Sequence, residues 1–336
     1  MTPDAKDLKL HHMQMVRNLL LKEDCLTVRT IAYKTGLSIV TVGALLQQMS
    51  AYGELLPPQR LPSDGGRPAY SYSYDLTSAY ALILNGFHAG IASSRITVQI
   101  VDLKGRIIHN DRHIVQNVNA GVFDDIIDGM LEKFPAIRTL GFVLPGEEFN
   151  GIVTCGDFEA LNGTAFSSGM EERYGLPVYF DNDVNAAVRG FCARRGLQEL
   201  PVVYLYFPDG FPPGAGVFLN GDVYSGATNF AGELNFLPFD IDWTHPSDED
   251  LLEYLRKLVP TICCLYNPAV LALNGRMVTQ SVLQKVRSDC ADMLPATCVP
   301  ELSLSGDILW DITEGAISGV LGLLNRPETF CKEVQS

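Results

Sequence analysis

The stretch Thr27-Val28-Arg29-Thr30-Ile31-Ala32-Tyr33-Lys34-Thr35-Gly36-Leu37-Ser38-Ile39-Val40-Thr41-Val42-Gly43 decides how the N-terminal part of the chain is read. Thr27 can cap a helix running through Tyr33 or Lys34. Gly36 supplies the left-handed residue of a tight turn, and Ser38 can accept from the free backbone N–H groups that open the next helix. That helix is predicted from about Ile39 to Ala51. It buries Val42, Leu45, Leu46 and Met49 and presents Ile39, Val40, Thr41 and Gly43 near its exposed first turn. Upstream, Leu8, Leu10, Met13, Met15, Val16, Leu19 and Leu20 mark one face of a helix over 7–23. Downstream, Pro57-Pro58 and Ser63-Asp64-Gly65-Gly66-Arg67-Pro68 precede the alternating run Ala69-Tyr70-Ser71-Tyr72-Ser73-Tyr74, which reads as a strand with its tyrosines on one face. Three helices followed by two short strands around a Gly-rich tip describe a winged helix-turn-helix.

From about Leu76 the pattern becomes α/β. Strands are predicted at 80–87, 95–102, 105–111, 138–144, 178–181, 201–207, 214–219, 270–273 and 300–304, with Asp102-Leu103-Lys104-Gly105 as a hairpin turn. Helices are predicted at 120–134, 164–174, 183–195, 247–266, 279–293 and 307–325. An antiparallel opening followed by alternating strands and helices fits a two-lobed actin-like (ribonuclease H-like) ATPase fold, in which similar α/β lobes flank a cleft. The expected organisation is a DNA-binding head, 1–76, followed by an effector domain of two lobes, 77–336.

Composition narrows the partners. With 336 residues, 47% of them hydrophobic and 19% charged, the chain can bury a large core and is not of the disordered class. No apolar run approaches a membrane span and no signal-peptide layout opens the chain, so a cytoplasmic protein without membrane contact is expected. The net charge of −14 is uneven: residues 1–75 balance to +1 and the remainder to −15. The large part repels nucleic acid, so any such binding falls to the head. The eight cysteines include no CxxC pair and are expected to be buried free thiols; a zinc site has no support, and the six histidines show no ligand spacing.

Four segments in order carry a family resemblance. They are Thr35-Gly36-Leu37-Ser38 with the tip Gly65-Gly66-Arg67-Pro68-Ala69; Gly175-Leu176-Pro177-Val178 leading to Asn182-Asp183-Val184-Asn185-Ala186-Ala187; Gly214-Ala215-Gly216 leading to Gly226-Ala227 and Ala231-Gly232-Glu233-Leu234; and Tyr266-Asn267-Pro268 with Asn274-Gly275. On these the chain resembles the ROK family (repressors, open reading frames and sugar kinases), in particular its regulator branch. The resemblance also exposes departures. Where ROK kinases carry DxGGTK, this sequence has Gly90-Ile91-Ala92-Ser93-Ser94-Arg95, lacking the acidic residue and the loop glycines. Where they carry GTGxGAG, it has Gly210-Phe211-Pro212-Pro213-Gly214-Ala215-Gly216, and two prolines remove two N–H donors. Phe236 stands where the zinc-binding His of GExGH falls, and the cysteine cluster behind it is missing.

By the same resemblance, Asn182, Asp183 and Glu233 match positions that hold sugar hydroxyls, Asp183 being the general base in kinases. Asn182 and Asp183 are equally suited to capping a helix that begins near Val184. Ser38, Ile39, Val40, Thr41 and Gly43 would face the major groove and Arg67 would probe the minor groove or backbone. The expected protein is a transcriptional regulator and repressor without kinase activity, metal or cofactor. It would bind a palindromic operator in double-stranded DNA as a homodimer or homotetramer and respond to a carbohydrate effector. Two readings stay open beside it: a ROK-type sugar kinase with an atypical phosphate site, and a non-catalytic protein-interaction scaffold. The absence of Arg, Lys or Asn from the first two turns of the reading helix favours the scaffold, and the GGRPA tip favours the regulator.

Overall fold

The computed structural model describes residues 5–62, 69–90, 93–154, 157–239 and 241–326. The Gly-rich tip with Arg67, together with Ile91, Ala92, Cys155 and Cys331, lies outside them.

The head is built from α1 (Ala5–Lys22), β1 (Leu26–Thr27), α2 (Val28–Thr35), α3 (Ile39–Ala51), β2 (Gln59–Arg60) and β3 (Tyr70–Tyr72). The local signals act as read. The Thr27 hydroxyl accepts from Thr30 N, Gly36 takes a left-handed conformation (φ 73°), and the Ser38 hydroxyl accepts from Thr41 N at 3.0 Å. The three short strands form an antiparallel sheet in the order β1-β3-β2. Tyr74 departs from the strand face it was expected to share with Tyr70 and Tyr72. It lies beyond β3 and is buried, its hydroxyl on Glu54 Oε2 at 2.5 Å, where Arg17 Nε also binds at 2.8 Å.

The remaining elements form two sheets. The first comprises β4 (Tyr80–Gly90), β5 (Ser93–Val101), β6 (Ile107–Val115), β7 (Ile137–Leu144) and β10 (Val178–Asn182), in the order β10-β7-β4-β5-β6. The second comprises β11 (Val202–Phe207), β12 (Gly214–Leu219), β13 (Asp222–Val223), β14 (Val270–Gly275) and β15 (Glu301–Leu304), in the order β13-β12-β11-β14-β15. Numbering the strands within each lobe gives one topology twice: a central first strand, an antiparallel pair on one side and a parallel pair on the other. Helices α4 (Ala120–Lys133), α5 (Phe166–Tyr174), α6 (Asp183–Arg195), α7 (Asp248–Tyr266), α8 (Gln280–Met293) and α9 (Ile308–Leu324) complete the lobes. A short hairpin of β8 (Glu147–Phe149) and β9 (Ile152–Thr154) turns on Asn150 and Gly151, both at positive φ, and was not anticipated.

One apolar core runs from Met13, Val16 and Leu46 in the head through Ala81, Leu103 and Val143 to Phe191, Ile317 and Val320 at the α6–α9 contact. The Asp102–Gly105 turn joins head and body from outside: Lys104 Nζ binds Asp24 at 2.6 Å, and Gly105 sits over Ile317 and Leu321. The thiols are mixed rather than uniformly buried. Cys192, Cys263 and Cys290 are enclosed, but Cys25 follows a helix end and Cys264 faces outward from α7, and both are exposed.

Candidate functional site

The β10–α6 junction places Asn182 and Asp183. Asn182 ends the edge strand and caps the helix, its Oδ1 accepting from Val184 N at 2.8 Å and Asn185 N at 3.3 Å. Its amide nitrogen donates to Gly146 O at 3.4 Å. The Asp183 carboxylate accepts from Val184 N at 2.9 Å. Burial first, and then the charge of Asp157, push this carboxyl up to about 6 against the pull of backbone N–H groups; Glu233 adds to the rise. Glu233, half-buried beside the turn Leu234–Phe236, is raised by burial and again by Asp157. The fold therefore gathers Asp183 and Glu233 from different lobes into one electrostatic environment, and adds Asp157.

Glu147 is the second unforeseen member. It is buried at the start of β8, its Oε1 accepting from the Asn185 amide at 3.0 Å. Burial, then Asp181, Glu233 and Asp183, push its carboxyl up to about 8. The motif Pro145-Gly146-Glu147-Glu148-Phe149-Asn150-Gly151 held a usable signal, because Asn-Gly between short apolar stretches marks a type I′ hairpin. The folded carboxyl holds its proton from the ordinary 4.5 up to about 8, so folding takes up a proton in that window and stability falls as pH rises through it. Glu147→Gln keeps an acceptor for Asn185 and is expected to flatten this slope, gaining about 1–3 kcal/mol over the native chain at pH 8 and little at pH 4.5. Urea unfolding at the two pH values checks it.

On the head, Ser38 caps α3 and shares a hydroxyl–hydroxyl bond of 2.8 Å with Thr41. Ile39 and Val40 are 57% and 83% exposed, and Tyr33 of α2 is 87% exposed. Gly43 lies one turn on, with nothing within 4 Å of where a Cβ would stand. Arg67, assigned to the same face from sequence, lies outside the described residues.

Residues 90–249 match the ROK family. The chain contains a ROK-family domain. The xylose repressor of Bacillus spizizenii is 21% identical over 251 residues, which are 71% of this chain and 63% of the repressor, so the chain spans less than two thirds of that relative's length. The N-acetyl-D-glucosamine kinase of Vibrio vulnificus is 31% identical over 121 residues, 35% of this chain and 39% of the kinase. Among solved structures, a ROK family transcriptional regulator described as a homolog of the E. coli MLC protein superposes with a TM-score of 0.70 at 13% identity, covering 96% of this chain and 99% of its own. The shared α/β actin-like fold is the one the sequence implied.

Within this ROK domain the positions expected to hold phosphate and zinc do not suit either group. Pro212 and Pro213 offer no backbone N–H beside Gly214, and Pro213 is buried. Phe236 neither fills the cleft nor ligates: it is 63% exposed, its ring 5.0 Å from that of Phe230. Glu233 lies three residues before Phe236, and that position holds no histidine.

Proposed function

We propose that the chain is a ROK-type transcriptional repressor: a winged helix-turn-helix head, 1–76, on an effector domain, 77–336, that binds a sugar without phosphorylating it. Ser38, Ile39, Val40, Thr41 and Gly43 read the major groove, with Arg67 on the wing, and a homodimer or homotetramer spans a palindromic operator. Asn182, Asp183 and Glu233 hold the hydroxyls of a carbohydrate effector. Sugar binding changes the closure of the lobes and so the spacing of two heads. Repressors among the relatives and the regulator sharing the whole fold support this reading.

The observation that carries it is Gly43. A glycine inside a helix costs about 1 kcal/mol against alanine, and packing here asks for none. Gly129, Gly169 and Gly322 are helix glycines with equally open Cβ positions; Gly43 differs from them in lying next to the exposed first turn of α3, with Ile39 and Val40, where a phosphate strand or groove floor can approach. Gly43→Ala is therefore expected to raise head stability by about 0.5–1 kcal/mol while weakening DNA binding at least severalfold. Equal or tighter DNA binding by the stabilised variant would contradict the assignment.

The rival sugar kinase is tested by supplying ATP and magnesium with xylose, glucose or N-acetylglucosamine. No phosphate transfer is expected. Transfer that disappears in Asp183→Ala would restore the kinase reading.

A further inference from the structure

The face of the first sheet that packs on α9 carries a basic spot toward its β6 edge. Register fixes the neighbours: Asn85, Thr97 and Arg112 form one row across β4, β5 and β6, and Phe87, Arg95 and Ile114 form the next. Residues two apart on a strand share a face, so Thr97 stands between Asn85 and Arg112 with Arg95 two positions before it. Ala81 and Ile83 continue this face into the core that holds Ile317 and Val320 of α9, whereas Leu84, Ile96 and Val98 belong to the other face.

The spot holds positive charge that nothing neutralises. In a chain of net charge −14, neither guanidinium pairs with a carboxylate among the described residues. Arg95 lies over the Phe87 ring, 4.6 Å from its centroid, and its Nε is buried without an acceptor. Arg112 is exposed, and Asp111 beside it pairs with Val98 and so takes the opposite face. Asn85 is 3% exposed, and its Oδ1 has no donor. Diagonal neighbours on adjacent strands are about 7–8 Å apart, within reach of two long side chains closing on one group. Two bare guanidinium groups at that spacing repel, and an anion between them removes the repulsion and fills both donor forks. A phosphate offers three oxygens, enough for both forks and the Thr97 hydroxyl, where a carboxylate offers two. The unserved acceptor of Asn85 asks for a hydroxyl beside that anion.

We propose that this face binds a small phosphate monoester carrying a free hydroxyl. The phosphate lies over Thr97 between Arg95 and Arg112, and the hydroxyl donates to Asn85 Oδ1. Side chains rather than backbone N–H groups make the site, so it does not rebuild a nucleotide loop. It shares no residue with the Asn182–Asp183–Glu233 cleft and stands independently of the sugar and DNA readings.

Isothermal titration of the full chain with glycerol 3-phosphate, inorganic phosphate and glycerol tests it. Glycerol 3-phosphate is expected to bind one per chain, inorganic phosphate about tenfold more weakly, and glycerol without detectable heat. Arg95→Gln and Arg112→Gln are each expected to cost about tenfold in affinity for the ester. Arg112 is exposed, so its substitution leaves the core untouched even if Arg95→Gln disturbs the contact with Phe87. Inorganic phosphate or glycerol binding as tightly as the ester, ester binding unchanged by both substitutions, or no heat from the ester at millimolar concentration would each overturn the proposal.

Discussion

Gly315→Ala is expected to leave little folded protein. Helices α6 and α9 cross backbone to backbone: a Cβ on Gly315 would overlap the Ala186 carbonyl, with Ala186 Cα at 3.0 Å, and one on Gly190 would overlap the Asp311 carbonyl, with Gly315 N at 2.7 Å. The obstacles are main chain, so no side chain can swing aside, and interiors this dense respond by displacing whole helices. Overpacking costs about 1–3 kcal/mol where side chains yield, and the upper end or more is expected here. The damage would spread, because Asp311 beside the crossing is fully buried and serves Arg194, Tyr204 and Ser305. Gly322→Ala, on the same helix with open space at its Cβ position, is the control and should unfold at the native midpoint or slightly above it. Denaturation of the three proteins in urea reads the difference; a native midpoint for Gly315→Ala would contradict the packing described.

The second large effect lies in the head. Arg17 and Glu54 are fully enclosed and paired two-pronged, Nε to Oε2 at 2.8 Å and Nη2 to Oε1 at 2.9 Å, with Tyr74 as a third member. Glu54 and Tyr74 hold the guanidinium charged, outweighing a burial that alone would favour losing the proton. Arg17→Met strands a buried carboxylate and is expected to cost about 3–5 kcal/mol. Arg17→Met with Glu54→Leu removes both charges and should recover most of that loss, since the intact pair gains little over apolar packing once desolvation is counted. Amide hydrogen exchange across α1–α3 localises the effect: fast exchange there in the single variant and near-native protection in the double variant are predicted.

These two features also mark where sequence reasoning stopped. Caps were legible because they are local: Thr27, Gly36 and Ser38 act within four residues of themselves. Every long helix was legible because its apolar face repeats at the helical period, and both sheets because runs such as 140–144 and 202–207 are continuously apolar. The Arg17–Glu54–Tyr74 group joins residues 37 and 57 positions apart, and no periodic pattern encodes such a meeting. Tyr74 continues the alternation and even keeps an antiparallel bridge to Leu55, so nothing local distinguishes it from Tyr70 and Tyr72, yet it is buried. Likewise Asn182 and Asp183 stand out as a motif, whereas Asp157 and Glu147 reach the same region from a loop and from β8 and acquire meaning only through charge and burial. The β8–β9 hairpin, with its Asn150-Gly151 turn, was readable and overlooked. The exposed thiols of Cys25, between two helices, and Cys264, on the outer side of α7, escaped because bulk composition says nothing about where a single residue faces.

The central claim is that the head reads DNA under control of the body. The purified chain should be mixed with sheared genomic DNA, washed at two salt concentrations, and the retained fragments sequenced with and without a panel of neutral sugars. The account predicts a small set of fragments sharing a two-fold symmetric motif, retained at the higher salt and released or strengthened by one sugar. Retention of unrelated fragments that all wash away with salt, and that no sugar alters, would contradict it.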